Sequence, residues 1–214
     1  MSQVSTIIQY IGDELGQGIT ITSTSRPSTA EIIRRINRTT KTFAKILAQY
    51  QSDLSREEGT ITTVSGTAEY ADLASDMLTP DDTAYYIDGD SKVPIYKKNY
   101  QEILYLPTDS AAPYYFYVTK NNHIGFYPTP DDTYTVKVPY WHIGEEVSSE
   151  NDDMPFKGML DDIYVEAIVR RLLNRDEFNV DFESKWLQFV TMNILSTLNL
   201  RRDNLTQLGK NDYL

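Results

Sequence analysis

The stretch that decides the fold is Ile124–Trp141, IGFYPTPDDTYTVKVPYW. Its second half, TYTVKVPYW, has the period of two that is typical of a β-strand. The strand follows the acidic stretch TPDDT (residues 129–133), and the same five letters occur at residues 79–83, before AYYI. Proline favours the second position of a turn, and aspartate side chains accept hydrogen bonds from the backbone of their own turn. Because the two flanks share only strand character, both copies are interpreted as turns and not as a duplicated domain.

Around this stretch, from Gly59 to about Trp141, short β-strands are predicted. The strand-like runs are rich in Tyr, Val, Ile and Thr and are separated by Gly, Pro and Asp: ITTV, AYYI, VPIY, YYFYV, HIGFY and TYTVKV. Residues 114–141 are predicted to form a three-stranded antiparallel meander, with a tight turn at Asn121-Asn122. Pro139 indicates an edge strand or a strand exit, because proline lacks a backbone N–H. The run NYQEILYL (residues 99–106) fits a short helix or a strand.

Helical periodicity flanks this segment on both sides. Apolar residues three and four apart predict a helix from Val4 to Leu15, ended by Gly16, and a second helix of about 22 residues that begins at the capping box Ser28–Glu31. After the acidic linker GEEVSSENDDMP, the run LDDIYVEAIVRRLL predicts a third helix, and a fourth is predicted from about Asp181 to Leu200. Their short connection predicts antiparallel packing of these last two helices.

The predicted fold class is therefore α+β: a helical bundle formed by the N- and C-terminal helices, with an antiparallel β-rich insertion. Four segments are predicted: N-terminal helices of the bundle at 1–58, an acidic, tyrosine-rich β insertion at 59–153, C-terminal helices of the bundle at 154–200, and a polar tail at 201–214.

The composition indicates a globular chain. Its 214 residues are enough for one domain with a sizeable insertion, and 40% hydrophobic residues can supply a core. The absence of cysteine excludes disulfides, thiol nucleophiles and cysteine metal sites. No basic and apolar leader and no run of membrane-spanning length are found, so a soluble protein inside a cell is expected.

The net charge of −11 is concentrated in the middle of the chain. Residues 60–153 carry 5 basic and 16 acidic residues, whereas the segments on either side are close to neutral. An acidic surface repels a phosphate backbone, so a protein that grips DNA is disfavoured.

A basic stripe lies on the predicted second helix. Arg34, Arg38, Lys41 and Lys45 follow 4-3-4 spacing and share one helical face, with Arg35 beside it. Three interpretations stay open: a solvated face, a contact with the acidic β part of a neighbouring copy, or a contact with phosphate. Two different complementary surfaces on one chain are what a head-to-tail ring requires.

Four acidic doublets are candidates for chemistry: Asp81-Asp82, Asp131-Asp132, Asp152-Asp153 and Asp161-Asp162. Adjacent side chains on a strand point to opposite faces, so a role in turns is favoured over metal binding or acid–base catalysis. The run that begins at Asp88, DGDS, resembles the start of a calcium loop, but Asn99 stands where the loop needs glutamate.

No enzyme class is indicated by a motif. His123 and His142 have no partner at ligand spacing, and no nucleophile elbow or phosphate-binding loop is present. We predict no catalytic residue, metal or cofactor, although a hydrolase built from distant carboxylates stays open.

Tyrosine is abundant, with 16 residues, many in the middle segment: Tyr114, Tyr115, Tyr117, Tyr127, Tyr134 and Tyr140 among them. Strand packing and a protein interface are favoured over base stacking, because base-stacking grooves are basic. The alternative function is a receptor- or carbohydrate-binding β module on a helical base, with tyrosines as its platform.

Four stretches resemble the head-to-tail adaptor (connector) proteins of tailed bacteriophages: PYYFY at Pro113–Tyr117, the opening stretch Ile124–Trp141, DDMP at Asp152–Pro155, and the helix LDDIYVEAIVRRLL. The similarity covers about residues 110–175, and the order of helices and strands extends it to most of the chain.

This resemblance implies a structural virion protein at the head–tail junction, assembled in the host bacterial cytoplasm. It implies a homo-oligomeric ring, commonly of twelve subunits, that joins the portal protein to a tail or nozzle protein and continues the DNA channel. DNA would pass without sequence-specific binding, and no membrane is involved. The tail RRDNLTQLGKNDYL would reach the portal, with contacts from Arg201, Arg202, Leu205, Leu208, Tyr213 and Leu214.

Overall fold

A computed structural model describes residues 2–16, 18–71, 73–119, 123–174 and 180–198. Its class is α+β, as predicted. The chain divides into two compact units. The helical unit comprises Met1–Ser55 and Ile143–Leu214, and the β unit comprises Arg56–His142.

In the described ranges there are five α-helices: α1 (Val4–Leu15), α2 (Thr29–Gln49), α3 (Tyr100–Ile103), α4 (Asp161–Leu173) and α5 (Val180–Thr197). The first two have the predicted bounds, and Ser28 Oγ caps α2 by accepting the Glu31 N–H at 3.3 Å. The Glu31 carboxylate, predicted to satisfy a backbone amide, accepts Arg35 Nη2 at 2.8 Å. The predicted end of the fourth helix at Leu200 lies outside the described residues.

α1, α2, α4 and α5 bury their predicted apolar stripes in one core. Its least exposed members come from both ends of the chain: Val4, Ile7, Ile11, Ile32, Ile36, Phe43, Leu47, Leu160, Tyr164, Ala167, Ile168, Val190 and Ile194. Tyr164 is fully buried, with its ring 4.6 Å from that of Phe43 and its hydroxyl 2.7 Å from Thr40 Oγ1. Helices separated by the whole β unit in sequence therefore stabilise one another through a shared apolar interior.

α4 and α5 are antiparallel, as predicted. Arg171 Nη2 lies 2.6 Å from Glu183 Oε2, and one turn earlier in α4 the Ala167 carbonyl accepts Trp186 Nε1–H at 2.9 Å. Contacts that move backward along α4 as they move forward along α5 require opposite directions.

The first turn of α1 is capped by the linker before α4. Gln3 provides no side-chain cap, so the amides of this turn need other acceptors. Val4 N donates to the Asp152 carbonyl at 3.0 Å, and Ser5 N donates to the Glu150 carbonyl at 2.9 Å. Residues near the start of the chain thus fix a segment about 150 positions later.

The same linker also contacts the side of α2. Asn37 Nδ2 donates to the Val147 carbonyl at 2.8 Å, and Val147 N donates to Asn37 Oδ1 at 2.9 Å. Val147 is buried in the helical core. The Asn37 amide thus makes the same pair of hydrogen bonds that a residue of a neighbouring strand would make, and fixes Val147 against α2.

The β unit contains a curled eight-stranded sheet. Its strands are β1 (Arg56–Thr62), β2 (Glu69–Tyr70), β3 (Met77–Pro80), β4 (Thr83–Asp88), β5 (Ser91–Lys97), β6 (Tyr115–Val118), β7 (Ile124–Tyr127) and β8 (Thr135–His142). The order is β1-β8-β4-β5-β6-β7-β2, and β3 also pairs with β8. β1 begins before Gly59, where the strand period was predicted to begin, because Arg56 pairs with Trp141 at the far end of β8.

The predicted meander over residues 114–141 is wrong in its third strand. β6 and β7 pair antiparallel as predicted, but β8 leaves them and pairs with β1, β3 and β4. The predicted turn at Asn121-Asn122 lies outside the described residues. The sheet is also not wholly antiparallel, since β5 and β6 are parallel, with Tyr96 opposite Tyr115.

Pro139 lies in the middle of the sheet, which corrects its predicted edge position. It pairs with Glu58 of β1 on one side, and its carbonyl accepts Asp81 N–H at 2.8 Å on the other. The nitrogen and carbonyl of a strand residue point the same way. The missing N–H therefore faces the connection from β3 to β4, where the ladder of β8 is interrupted and no donor is required.

The run NYQEILYL forms the short helix α3 and a turn. Asn99 Oδ1 accepts Gln101 N–H at 3.1 Å and begins the helix. The segment is part of the long connection that the parallel β5–β6 pairing needs. It leaves Leu104 and Tyr105 exposed, Tyr105 to 88%.

The Thr40–Tyr164 pair gives a first prediction. Thr40→Val keeps the shape of the side chain but removes the partner of a buried phenol, and should lower the free energy of unfolding by about 1 to 3 kcal/mol. Tyr164→Phe should cost less, because the Thr40 hydroxyl still donates its hydrogen bond to the Ile36 carbonyl at 2.9 Å. In urea denaturation the double variant should lose less than the sum of the two single losses. Additive losses would contradict the contact, and Thr42→Val is the matched control for threonine replacement in α2.

A second prediction concerns acid. Amide N–H groups of Ser148 and Ser149 donate to Asp152 Oδ2 at 2.7 and 2.9 Å, and they lower the pKa of this carboxyl from its ordinary value of 3.8. A lowered folded-state pKa stabilises the fold above the ordinary value, and this contribution is lost as pH falls through the folded-state pKa.

Asp152→Asn should therefore lower the melting temperature near neutral pH and should reduce its fall between about pH 6 and about pH 3. Asp153→Asn is the matched control, because the two serine amides donate to Asp152. Identical pH profiles for wild type and Asp152→Asn would refute the assignment.

Candidate interaction surface

The basic stripe forms an exposed ridge on α2. Arg34, Arg38, Lys41 and Lys45 are all exposed, at the predicted 4-3-4 spacing. Lys41 Nζ lies 2.6 Å from Glu146 Oε1 of the linker in the same chain. In the described part of the chain Arg34, Arg38 and Lys45 form no ion pair. The ridge therefore presents cationic charge that the described residues leave largely uncompensated.

A basic groove of about 450 Å³ borders the ridge, between α2 and α4. It is lined by Glu31, Arg34, Arg35, Arg38, Thr39, Ile168 and Arg171. Arg171 stacks on the Trp186 ring at 3.6 Å, and its Nε is buried without a hydrogen-bond partner among the described residues. Burial lowers the pKa of Arg171, and the nearby Arg38 and Arg35 lower it further, whereas Glu183 opposes the shift. Like charges held this close favour an anionic partner.

An acidic groove of about 750 Å³ lies on the other flank of α4, against α1. It is lined by Tyr10, Asp13, Glu14, Asp162, Val165, Glu166, Val169 and Arg170. The cation in this set is engaged, since Arg170 Nη2 lies 2.7 Å from Glu166 Oε1 and its guanidinium lies over the Phe189 ring at 4.0 Å. The groove therefore combines carboxylates at its rim with an apolar floor of two valines and a half-exposed Tyr10.

Three of the four acidic doublets lie in turns or in the linker, where at least one aspartate of each accepts a local hydrogen bond, as the turn interpretation predicts. Asp81 and Asp82 pair with Arg56 and Lys97, and Asp82 N donates to Asp81 Oδ1 at 2.7 Å. Asp131 accepts the Tyr134 hydroxyl at 2.7 Å, which is the main cause that raises the Tyr134 pKa to about 12. Both TPDDT copies connect strands, the first β3 to β4 and the second β7 to β8.

The remaining doublet, Asp161-Asp162, lies in the first turn of α4, where negative charge suits the helix dipole. Asp161 accepts the Ser2 hydroxyl, and burial raises its pKa. Asp162 points to the acidic groove. The doublet is thus divided between a buried hydrogen bond and a groove.

The calcium-like run at Asp88 is a hairpin turn. Asp88 pairs with Ser91 across β4 and β5, and Gly89 between them has a φ of 58°, which glycine adopts without strain. His142 Nδ1 lies 3.9 Å from Asp76 Oδ2, and His123 accepts the Thr119 N–H through its carbonyl at 3.0 Å. Over the described residues no group of three or more His, Asp or Glu side chains is placed to hold a metal ion.

Half of the six tyrosines named from the sequence are buried in the β unit. Tyr117, Tyr127 and Tyr140 are buried, whereas Tyr114 is 45% exposed. A different set is exposed along β5 and its connection to β6: Tyr96, Tyr100, Leu104 and Tyr105. We call these four residues with Tyr114 the aromatic patch. Tyr96 N donates to the Tyr114 carbonyl at 3.1 Å, which brings the two strands together.

The predicted contact residues are therefore only partly placed. Arg34, Arg35 and Arg38 come together at the basic groove, and Lys41 and Lys45 continue the ridge. Arg201, Arg202, Leu205, Leu208, Tyr213 and Leu214 lie outside the described residues. Sequence reasoning missed Arg171 and the whole acidic groove. The available signal was the i, i+4 spacing of Asp162, Glu166 and Arg170, which places these polar residues on one face of α4.

Charge is also distributed differently between the units than between the predicted segments. Residues 56–142 carry 6 basic and 13 acidic residues, and the rest of the chain carries 14 basic and 18 acidic residues. Five acidic residues of the predicted middle segment, within 143–153, belong to the helical unit. Both units are therefore net negative.

Comparison with known proteins adds one match. The family described as SU10 adaptor protein matches residues 2–207, which spans both units. No curated protein is significantly similar to the chain. None of the helices in the described ranges is long and apolar enough to cross a membrane.

Proposed function

The chain belongs to the SU10 adaptor protein family, a family of bacteriophage head-to-tail adaptors, and we propose that it is the structural subunit that joins the portal to the tail. The observation that carries the proposal is a family match that spans both the helical unit and the β unit. A structural role in an assembly also agrees with the charged surfaces described above, which are one basic ridge, one basic groove and one acidic groove that a partner protein can contact.

In the proposed assembly, copies of the chain form a ring, commonly of twelve subunits, at the head–tail junction of the virion. The helical unit builds the ring wall, and the β unit faces tail or nozzle proteins. The aromatic patch is the part of the β unit best suited to such a contact, because exposed aromatic clusters mark protein interfaces.

The proposed ring continues the DNA channel. Both units are net negative, and a negative lining repels the phosphate backbone, so DNA would pass without sequence-specific binding. The ring would assemble in the host bacterial cytoplasm. Chemistry on a substrate has no place in this function, and the carboxylate doublets act in turns and caps.

The portal contact is assigned to residues 201–214. Arg201 and Arg202 would supply charge, and Leu205, Leu208, Tyr213 and Leu214 would supply apolar contacts. We favour this role over a carbohydrate-binding module, because Tyr117, Tyr127 and Tyr140, three of the tyrosines that would have formed a sugar platform, are buried. The exposed Tyr105 could still contact a sugar ring, so glycan binding is one outcome of the test.

A third prediction tests this function. Purified chain should bind preformed portal rings and form one complex of defined stoichiometry, observed by native mass spectrometry. The variant Arg201→Glu/Arg202→Glu/Leu205→Asp/Leu208→Asp should bind portal rings at least about tenfold more weakly, since charge reversal and loss of apolar burial act together.

The matched control is Lys92→Glu/Lys185→Glu, which changes exposed positions in β5 and α5. It should bind portal rings like wild type. A chain that remains monomeric with portal rings and binds a glycan array would contradict the adaptor role.

A further inference from the structure

We propose that neighbouring copies of this chain bind head to tail within the helical unit, with the α2 ridge of one copy seated in the α1–α4 groove of the next. This inference rests on the proposed ring and identifies the residues of its subunit contact. It replaces the acidic β part, considered from the sequence, by the acidic groove of the helical unit.

The ridge has the form of a docking element. Arg34, Arg38, Lys41 and Lys45 are exposed on one face of α2, and Arg34 and Lys45 lie about 16 Å apart along the helix axis. Rows of side chains at i±4 spacing pack into the groove between side-chain rows of a partner. Arg35 is held aside from this row by Glu31.

The groove has the complementary form and charge. Val165 and Val169 form its floor, and Asp13, Glu14 and Asp162 are carboxylates at its rim that have no ion-pair partner in the described ranges. Tyr10 is 50% exposed there, an apolar ring that a partner helix can cover. Basic side chains with long methylene stems can cover such a floor and keep their charged ends at the rim.

The two surfaces cannot meet within one copy. Val165 and Val169 face the acidic groove, and Ile168 and Arg171 face the basic groove. At 100° per residue the mean directions of these two pairs differ by about 110° around α4, so the two grooves lie on different flanks of the helix. Within the described residues the ridge and the acidic groove therefore do not face each other, and a second copy can bring them together, which is the condition for a heterologous contact that closes a ring or continues as a filament.

Part of the acidic charge of the β unit is already paired within that unit, which makes those residues poorer candidates for the ridge. Asp81 and Asp82 pair with Arg56 and Lys97, and Glu58 Oε1 lies 3.7 Å from Lys137 Nζ. These carboxylates are already partly neutralised by their own chain. The groove carboxylates Asp13, Glu14 and Asp162 have no such ion pair in the described ranges and can pair with a second copy.

The test uses two full-length charge reversals, Arg34→Glu/Arg38→Glu on the ridge and Asp13→Lys/Glu14→Lys at the groove rim. Assembly is followed by light scattering after size exclusion, in the condition in which wild type assembles, alone or on portal rings. Each variant alone should assemble only at a concentration about tenfold higher than wild type needs, because like charges then face each other. An equal mixture of the two should assemble like wild type, with the variants alternating.

Circular dichroism melting shows whether each variant is folded. The neutral pairs Arg34→Gln/Arg38→Gln and Asp13→Asn/Glu14→Gln should weaken assembly in the same direction with less risk to the fold. Lys92→Glu/Lys185→Glu and Asp88→Lys/Asp90→Lys match the two charge changes at exposed positions elsewhere, and should assemble like wild type.

The outcomes separate this contact from the proposed function. If wild type forms no oligomer even with portal rings, the adaptor role fails and the contact fails with it. If wild type assembles and the folded reversal variants assemble equally well alone, only this contact is overturned. If each variant fails alone and the mixture fails too, the ridge and the groove do not bind each other.

Discussion

Burial of α4 between α1 and α2 is the constraint on which the helical unit depends. Tyr164 projects from α4 into the core, packs on Phe43 and reaches Thr40, so the C-terminal half of the chain completes an interior begun by the N-terminal half. The same helix separates the two grooves, with valines on one side and Arg171 on the other. The packing that stabilises the unit therefore also positions the surfaces through which we propose that it assembles.

Charge acts at two levels in this molecule. Local pairs and caps, such as Asp81 with Arg56 and Asp152 with two serine amides, fix turns and act only on the residues around them. The ridge and the acidic groove are different, because most of their charges have no ion-pair partner among the described residues and the two surfaces lie on different flanks of α4. Segregation of this kind favours orientation and specificity of a contact more than its strength.

The helices could be predicted from the sequence because their causes are local. A period near 3.6, the Ser28 cap and the apolar stripe of α4 are each encoded within a few residues. Strand positions were also largely predictable, but strand partners were not. β8 pairs with β1, β3 and β4 because of where distant strands lie, and Pro139 tolerates a central position because its missing donor faces a break in the ladder. The basic stripe was visible as a spacing within one helix. The acidic groove was not, since it exists only where α1 and α4 meet across most of the chain.

The central claim is that this adaptor-family chain connects head and tail as a ring of contacting helical units. Cryo-electron microscopy of the neck of the virion that carries this chain tests it most directly. We expect a ring of identical subunits between portal and tail, with α2 of each copy against α1 and α4 of its neighbour. A chain located at the distal end of the tail, or absent from the neck, would contradict it.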